Sequence, residues 1–289
     1  LGFTATQNSK LKTQNSKLKT QNSKLKTQNC ISKETDLNFN LPHERRQYIL
    51  DKLQADGKII AAELSALYGV SEDTIRRDLR ELAAAGLVKR VHGGALPLAS
   101  QQSYTERAQH STPAKVAIAQ TAARLVQNGQ VVILGSGTTN HEISKQLDPH
   151  LQATVITTSP PVALTLLAHR SVEVILVGGR LSKIVYAAIG AEALAEISRY
   201  HADICFLGIC SLHPEAGYTA NLFDEVAINR AIIAQSGEVV AAATADKLGA
   251  IAPYTVAPLS DITHLVTEPH LPEAVLLPYR QAGLEIVTA

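Results

Sequence analysis

Apolar positions along the chain follow two periods, and the change from one to the other divides it. Ile75, Leu79 and Leu82 recur at spacings of four and three, which puts them on one face of a helix and leaves Thr74, Arg76, Arg77 and Arg80 outside that face. Ser71 is a good N-cap, and Glu72 and Asp73 place negative charge in the first turn, where the helix dipole favours it. Gly86 suits the left-handed position that closes a helix. Leu87 to Val91 then alternates as a short strand before a His92-Gly93-Gly94 turn. Upstream, Ala61 to Tyr68 predicts a short apolar helix. Gly69-Val70 makes a tight turn after it, so a helix-turn-helix is expected at about residues 60 to 79, its second helix the reading element. Pro42 suits the first turn of a preceding helix whose Ile49, Leu50 and Leu53 pack against that second helix.

Beyond Leu96 the pattern changes. Pro97 to Pro113 is polar and punctuated, as a linker is, and Ala114 to Val126 reads as a helix. Short apolar runs then alternate with amphipathic ones. The runs at Gln130–Leu134, Thr154–Thr158, Val172–Val177, Asp203–Leu207, Val239–Ala243, Ile262–Thr267 and Leu284–Val287 predict strands, with helices between most of them. Such alternation argues for an α/β domain with a largely parallel sheet. At the other end, TQNSKLK repeats at Thr6–Lys12, Thr13–Lys19 and Thr20–Lys26. A coiled coil needs two apolar positions per heptad and each unit offers only Leu, so residues 1–40 are expected to be a disordered low-complexity tail. A basic arm adding phosphate contacts is the alternative. The expected division is 1–40 tail, 41–96 winged helix-turn-helix, 97–113 linker and 114–289 α/β domain.

Composition agrees with two domains: 289 residues, 45% hydrophobic. The net charge of +1 hides an asymmetry. Residues 1–40 carry seven Lys against two acidic groups, 41–96 nine basic against eight acidic, and the remainder eleven against sixteen. The N-terminal part therefore suits a polyanion and the C-terminal part does not. Cys30, Cys205 and Cys210 are too few for a disulfide framework and match no zinc spacing; neither metal nor cofactor is expected. Cys205, within ADICFLG, is expected to be a buried thiol. No run reaches 18 apolar residues and the N-terminus lacks the core of a signal peptide, so no membrane partner and a cytoplasmic location are expected. The sequence holds no Met, position 1 included, as in a chain without its initiator.

Two sets of residues carry candidate chemistry. Ser71, Glu72, Asp73, Thr74, Arg76, Arg77 and Arg80 on the second helix, with Lys89, Arg90 and His92 on the hairpin, would face double-stranded DNA. Arginines on one helix face are also what a solvated surface presents; the cap, turn and basic hairpin together favour the DNA reading. In the second half, ligands of an open α/β sheet sit beyond the carboxyl ends of the strands. There stand Gly135-Ser136-Gly137-Thr138-Thr139, followed by a helix from about His141, then Thr158-Ser159, Gly178-Gly179-Arg180, Glu225 with Asn229-Arg230, and Asp246-Lys247. The first is a phosphate cradle in chemistry, with glycines for backbone approach, hydroxyl donors and a helix N-terminus. It is neither a P-loop nor a dinucleotide fingerprint, since no Gly-Lys-Ser/Thr follows and Asn140 stands in place of a third glycine. Arg180 and Lys247 would neutralise a phosphate, and Glu225 and Asp246 would accept from sugar hydroxyls.

Glu44-Arg45-Arg46, VSEDTIRRDLRELAAAGL and KRVHGGA, in this order, resemble the DNA-binding domain of the DeoR family of bacterial sugar-operon repressors. The resemblance runs from Leu41 through nearly all of the chain, and GSGTT resembles the family's own loop. It implies a C-terminal sensor similar to ribose-5-phosphate isomerase and glucosamine-6-phosphate deaminase. It also implies operator DNA bound by the empty protein and released by a phosphorylated sugar. Asn229 stands where the family commonly has Lys, and Ala245 to Gly249 is compact beside the family's longer Asp-Ser-Ser-Lys pattern, so the effector is open to difference. Paired half-sites imply a homo-oligomer, dimer or higher. Two alternatives stay open: an activator of the same build, and a sugar-phosphate isomerase or deaminase with an attached DNA-binding module, using Asp246, Glu225 or His141.

Overall fold

The computed structural model describes residues 41–100, 102–109 and 112–289. The repeats and the tail expected over residues 1–40, with Cys30, lie outside the described residues. The first unit is α1 (Pro42–Asp56), β1 (Ile59–Ile60), α2 (Ala61–Tyr68), α3 (Glu72–Ala84), β2 (Val88–Val91) and β3 (Gly94–Pro97). Its core is small: Ile49 and Leu53 of α1, Leu64 of α2, and Ile75, Leu79 and Leu82 of α3 close on Ile59, Val88 and Ala95. Gly69 between α2 and α3 takes φ 62°, the left-handed turn that a Cβ would strain. Gly86 closes α3 at φ 70°, and Leu87 N–H returns to the Leu82 carbonyl at 2.9 Å, the wrapped end a helix needs for its last carbonyls. β3 lies between β1 and β2, antiparallel to both. The alternation expected of Leu87 to Val91 is only half present, because Val88 alone is buried and Val91 stands exposed on the projecting hairpin.

The described part of the expected linker, 97–100, 102–109 and 112–113, is a connector folded onto the rest of the chain. β3 extends past Pro97, with the Ala99 amide donating to the Ile251 carbonyl at 3.0 Å and the Ile251 amide to Pro97 at 3.1 Å. A short helix, α4 (Tyr104–Gln109), follows. Tyr104 is buried, stacks on Tyr186 with ring centroids 4.7 Å apart, and shares a 2.9 Å hydrogen bond with His141 Nδ1.

The second unit begins at α5 (Pro113–Ala123). It continues with β4 (Val131–Leu134), α6 (Thr138–Gln146), β5 (Ala153–Thr157), α7 (Pro160–Leu166), β6 (Val172–Leu176), β7 (Arg180–Ser182), β8 (Ala187–Ile189) and α8 (Ala191–Ile197). Then come β9 (Ala202–Leu207), β10 (Ser211–His213), β11 (Gly217–Ala220), α9 (Phe223–Ala234), β12 (Ser236–Ala242), β13 (Tyr254–Ala257), β14 (His264–Thr267), α10 (Glu273–Gln281) and β15 (Glu285–Thr288). Seven strands form one parallel sheet in the order β15-β14-β12-β9-β4-β5-β6, and they are the seven expected. Alternation explains why both faces are apolar. Val132, Leu134, Ile204, Phe206, Val240 and Ala242 point to one core with Ile118, Ile143 and Val162. Ile133, Cys205, Leu207, Val239 and Ala241 point to the other with Ile197, Ile232 and Tyr279. Cys205 is fully buried, and burial pushes its thiol up to about 12.

From β4 the chain winds one way through β5 and β6, and from β9 the other way through β12, β14 and β15. The switch between β4 and β9 opens the crevice where ligands of such sheets bind.

Candidate DNA-reading face and effector cavity

The helix α3 is held from behind by a charge pair that sequence reasoning missed. Asp78 is buried and accepts from Arg45 Nε of α1. The signal was available: Asp78 lies three residues after Ile75 and four before Leu82, on the apolar stripe itself. Arg46 pairs with Glu81 beside it. On the other side of α3, Arg76, Arg77 and Arg80 are exposed. The Ser71 hydroxyl accepts from the Thr74 amide at 3.2 Å, which caps the helix. Glu72 holds Arg76 at 2.7 Å with Asp73 at 3.9 Å, and Arg80 Nε donates to the Arg76 carbonyl at 3.2 Å. Lys89, Arg90 and His92 are exposed on the hairpin. Helix and wing border one cleft of 330 Å³ lined by Arg76, Arg90, Val91, His92 and Gly93. The wing is fixed to α2, since the Ala61 amide donates to the Gly93 carbonyl at 2.8 Å.

In the second unit, the loop between β4 and α6 is built by close approach. The Gly135 amide donates to the Phe206 carbonyl at 3.0 Å, and a Cβ on Gly208 would collide with the Ser136 carbonyl, so the two turns at the switch point lie one on the other. Helix α6 starts at Thr138, three residues before the expected His141, with Gly137 at φ 107° as its cap residue. Asn140, in the third-glycine position, is fully buried and donates to Ser136 at 3.1 Å and Phe206 at 2.9 Å, clamping the loop to β9. His141 is held between Tyr104 and Thr165.

Two cavities flank this loop. The larger, 390 Å³, is lined by Thr138, Thr244, Asp246, Lys247, Cys210 and Glu268 at the carboxyl ends of the strands. Ser100, Gln102, Arg107 and Thr112 of the connector and Lys115 of α5 complete it. Arg107 was invisible in the sequence, because a connector that folds back leaves no periodicity to read; Lys115 lies on the helix expected from Ala114, but nothing in its spacing pointed it to a cavity. Of the two carboxylates, Glu268 is occupied by the Ala245 amide at 2.9 Å. Burial pushes the Lys247 ammonium down to about 8, with Arg107 and Lys115 pressing the same way and Asp246 and Cys210 opposing. Burial and Arg107 also lower Lys115, whose ammonium donates to the Arg107 carbonyl at 3.3 Å. Three mutually repelling cations at one mouth favour an anion between them.

The smaller cavity, 10 Å³, is lined by Ser136, Thr158, Glu225 and Asn229. Glu225 is buried, and burial pushes its carboxyl up to about 7 against the pull of Arg107 and the Ser136 hydroxyl. Among the described residues its Oε2 has no hydrogen-bond partner, nor do Thr139 Oγ1 and Ser159 Oγ, all buried. Four expected residues, Arg230, Arg180, Gly178 and Gly179, stand elsewhere. Arg230 spends its guanidinium on the Val256 and Thr255 carbonyls of β13, at 2.8 and 3.0 Å, because α9 turns it outward. Arg180 is exposed at the start of β7, paired with Asp224 at 2.7 Å. Gly178 and Gly179 are exposed there too, and Gly179, at φ 132°, lets the turn approach Ala193 of α8.

A winged helix-turn-helix joined to a doubly wound α/β domain defines a DNA-binding transcriptional regulator with its own sensor. The family model described as the DeoR C terminal sensor domain matches residues 110–269, and the DeoR-like helix-turn-helix domain matches residues 45–101. The chain belongs to the DeoR family. It is 31% identical over 249 residues to a putative aga operon transcriptional repressor of Escherichia coli O157:H7, covering 84% of this chain and 93% of that one. It is 34% identical over 228 residues to the HTH-type transcriptional repressor GlcR of Bacillus subtilis (strain 168), covering 78% and 88%. These relatives are named as repressors, not enzymes. Ribose 5-phosphate isomerase A from Methanocaldococcus jannaschii overlaps 44% of this chain and 50% of its own, at 17% identity and a TM-score of 0.30. Among the described residues no helix is long and apolar enough to cross a membrane.

Proposed function

We propose that this regulator represses a carbohydrate-metabolism operon and releases it when a phosphorylated sugar fills the C-terminal cavity. In this reading 41–96 is the reading unit and 114–289 the sensor. Arg77, Arg80, Lys89, Arg90 and His92 contact operator DNA, with Arg76 oriented by Glu72 and Asp73. A homo-oligomer, dimer or higher, spans paired half-sites. The effector's phosphate lies at Thr138 and Lys247, on the amino end of α6, and its hydroxyls turn toward Ser136, Thr158, Ser159, Glu225 and Asn229. The observation that carries this is the convergence of Arg107, Lys115 and Lys247 on the crevice at the β4–β9 switch point. Relatives named for aga, glycerol-3-phosphate and other carbon operons support the same class of effector.

The test is a thermal-shift screen of phosphorylated sugars on the full chain, since a ligand that binds only the folded state raises its melting temperature. A hit that also releases operator DNA and is recovered unconverted supports the proposal. A hit that is turned over, or one that tightens DNA binding, favours the enzyme or the activator.

A further inference from the structure

The segment between the two units is bound at both ends and forms a wall of the cavity between them. At its start the Asn221 side chain donates to the Ser100 carbonyl at 2.7 Å, next to the Ala99 and Ile251 exchange. Toward its end, the Tyr104 amide donates to Ile184 at 2.8 Å and its ring is locked against Tyr186 and His141. Ser100 at the first anchor, Gln102 between the two and Arg107 just beyond the second line the cavity together with Thr138 and Lys247. Arg107 Nε is buried and has no hydrogen-bond partner among the described residues. The guanidinium fork is the side chain whose geometry matches a phosphate.

We propose that the effector's anionic group is clamped between Lys247 of the sensor and Arg107 of the connector, so that filling the cavity draws on the strand that forms the inner edge of the wing. This rests on the reading of the cavity as the effector site. The chain from Ser100 back to Gly94 is extended, so at roughly 3.3 Å per residue it reaches about 20 Å and takes up little slack. Its far end is β3, paired with β1 and β2 on either side. The next residue, Gly93, carries the carbonyl that caps α2. Arg107 lies just past Tyr104, so a pull on it reaches the hairpin bearing Arg90 and the helix preceding the reader by displacing the Tyr104 and Ser100 contacts that pin the segment to the sensor. Ligand changes the balance of states because the clamp closes only with anion present, which supplies the differential affinity that any such switch requires.

The test uses the full chain with inorganic phosphate as probe. Phosphate affinity is read by calorimetry, and hydrogen exchange is followed at Gly94–Ser100 and Ile251. The unaltered protein should bind phosphate and change its exchange rates at these amides. Arg107→Gln should weaken binding by about 10-fold to 100-fold, the scale of a lost charge-assisted hydrogen bond, and abolish the exchange change. Arg107→Lys, which keeps the charge and not the fork, should fall between them and guards against misfolding. If Lys247→Gln loses phosphate while Arg107→Gln binds it normally, or if the wing amides never respond, the clamp is overturned and the effector site stands. If phosphate binding is indifferent to both substitutions, the ion lies elsewhere and the cavity reading falls with the clamp.

Discussion

Asp78 illustrates how a basic helix is kept basic on one side only. With the side chains of Arg45 and Asp78 exposed by 7% and 4%, removing either partner strands a charge in the core, which typically costs about 3–5 kcal/mol. Asp78→Ala or Arg45→Ala should therefore lower the stability of the DNA-binding unit by that much in denaturant melts. Arg77→Ala, a few ångströms along the same helix, should leave the melt unchanged and cost about 1–3 kcal/mol of operator affinity, as a lost base contact does. A melt disturbed by Arg77→Ala, or undisturbed by Asp78→Ala, would reverse these roles. Lys247 gives a pH test. Its ammonium is charged below about 8, and a phosphate monoester loses its second proton near about 6. Effector affinity should rise through about 6 and fall past about 8. Glu225, ionising near 7, adds negative charge in the same direction, so Lys247→Gln should weaken binding and move the midpoint of the fall toward 7. Calorimetry across this range decides it; a midpoint unmoved by the substitution takes Lys247 out of the site.

Elements show what periodicity transmits and what it does not. The seven parallel strands were legible because each is a short, largely apolar run, buried on both faces in the middle of the sheet and partly exposed at its edges, β15 and β6. The helices α2 and α3 were legible from stripe, cap and turn. Missing were β7, β8, β10, β11 and β13, of three or four residues each, too short to display a period. The connector was missed for another reason. Tyr104 gains its place from contacts with Tyr186 and His141, distant in sequence, and polar spacing alone looks like a linker. In the same way Arg180 and Lys247 read alike as cations following sheet strands, and only the fold separates the one exposed and paired with Asp224 from the one lining the cavity. The wing offers a prediction on this scale. A Cβ on Gly94 would collide with the Ile59 carbonyl, so Gly94→Ala should part β1 from β3 and cost about 1–3 kcal/mol, as forced overpacking does. Gly93, at φ 80° with open space around it, should cost only the left-handed penalty of about 1–2 kcal/mol on substitution by Ala. If Gly94→Ala melts like the parent, the three-stranded sheet is looser than its register implies.

The whole molecule is two units joined by a segment that belongs to both, and the proposed function makes a demand on it that thermodynamics sets independently of any pathway. If effector weakens operator binding by some factor, operator must weaken effector binding by the same factor, because both report one coupling free energy. Couplings of this kind usually amount to about 5-fold to 150-fold. The expected outcome is that a phosphorylated sugar found by thermal shift binds the DNA-free protein more tightly than the protein saturated with operator duplex, by the ratio seen when operator affinity is measured with and without that sugar. Arg77→Ala should leave the sugar's affinity for the DNA-free protein intact, since Arg77 is not among the described residues that line the cavity. Lys247→Gln should leave operator affinity of the empty protein intact for the converse reason. Calorimetric titration of sugar with and without duplex, beside fluorescence anisotropy of duplex with and without sugar, closes the cycle. Equal sugar affinities in the presence and absence of operator, in a protein that binds both, would mean that the cavity does not govern the reader.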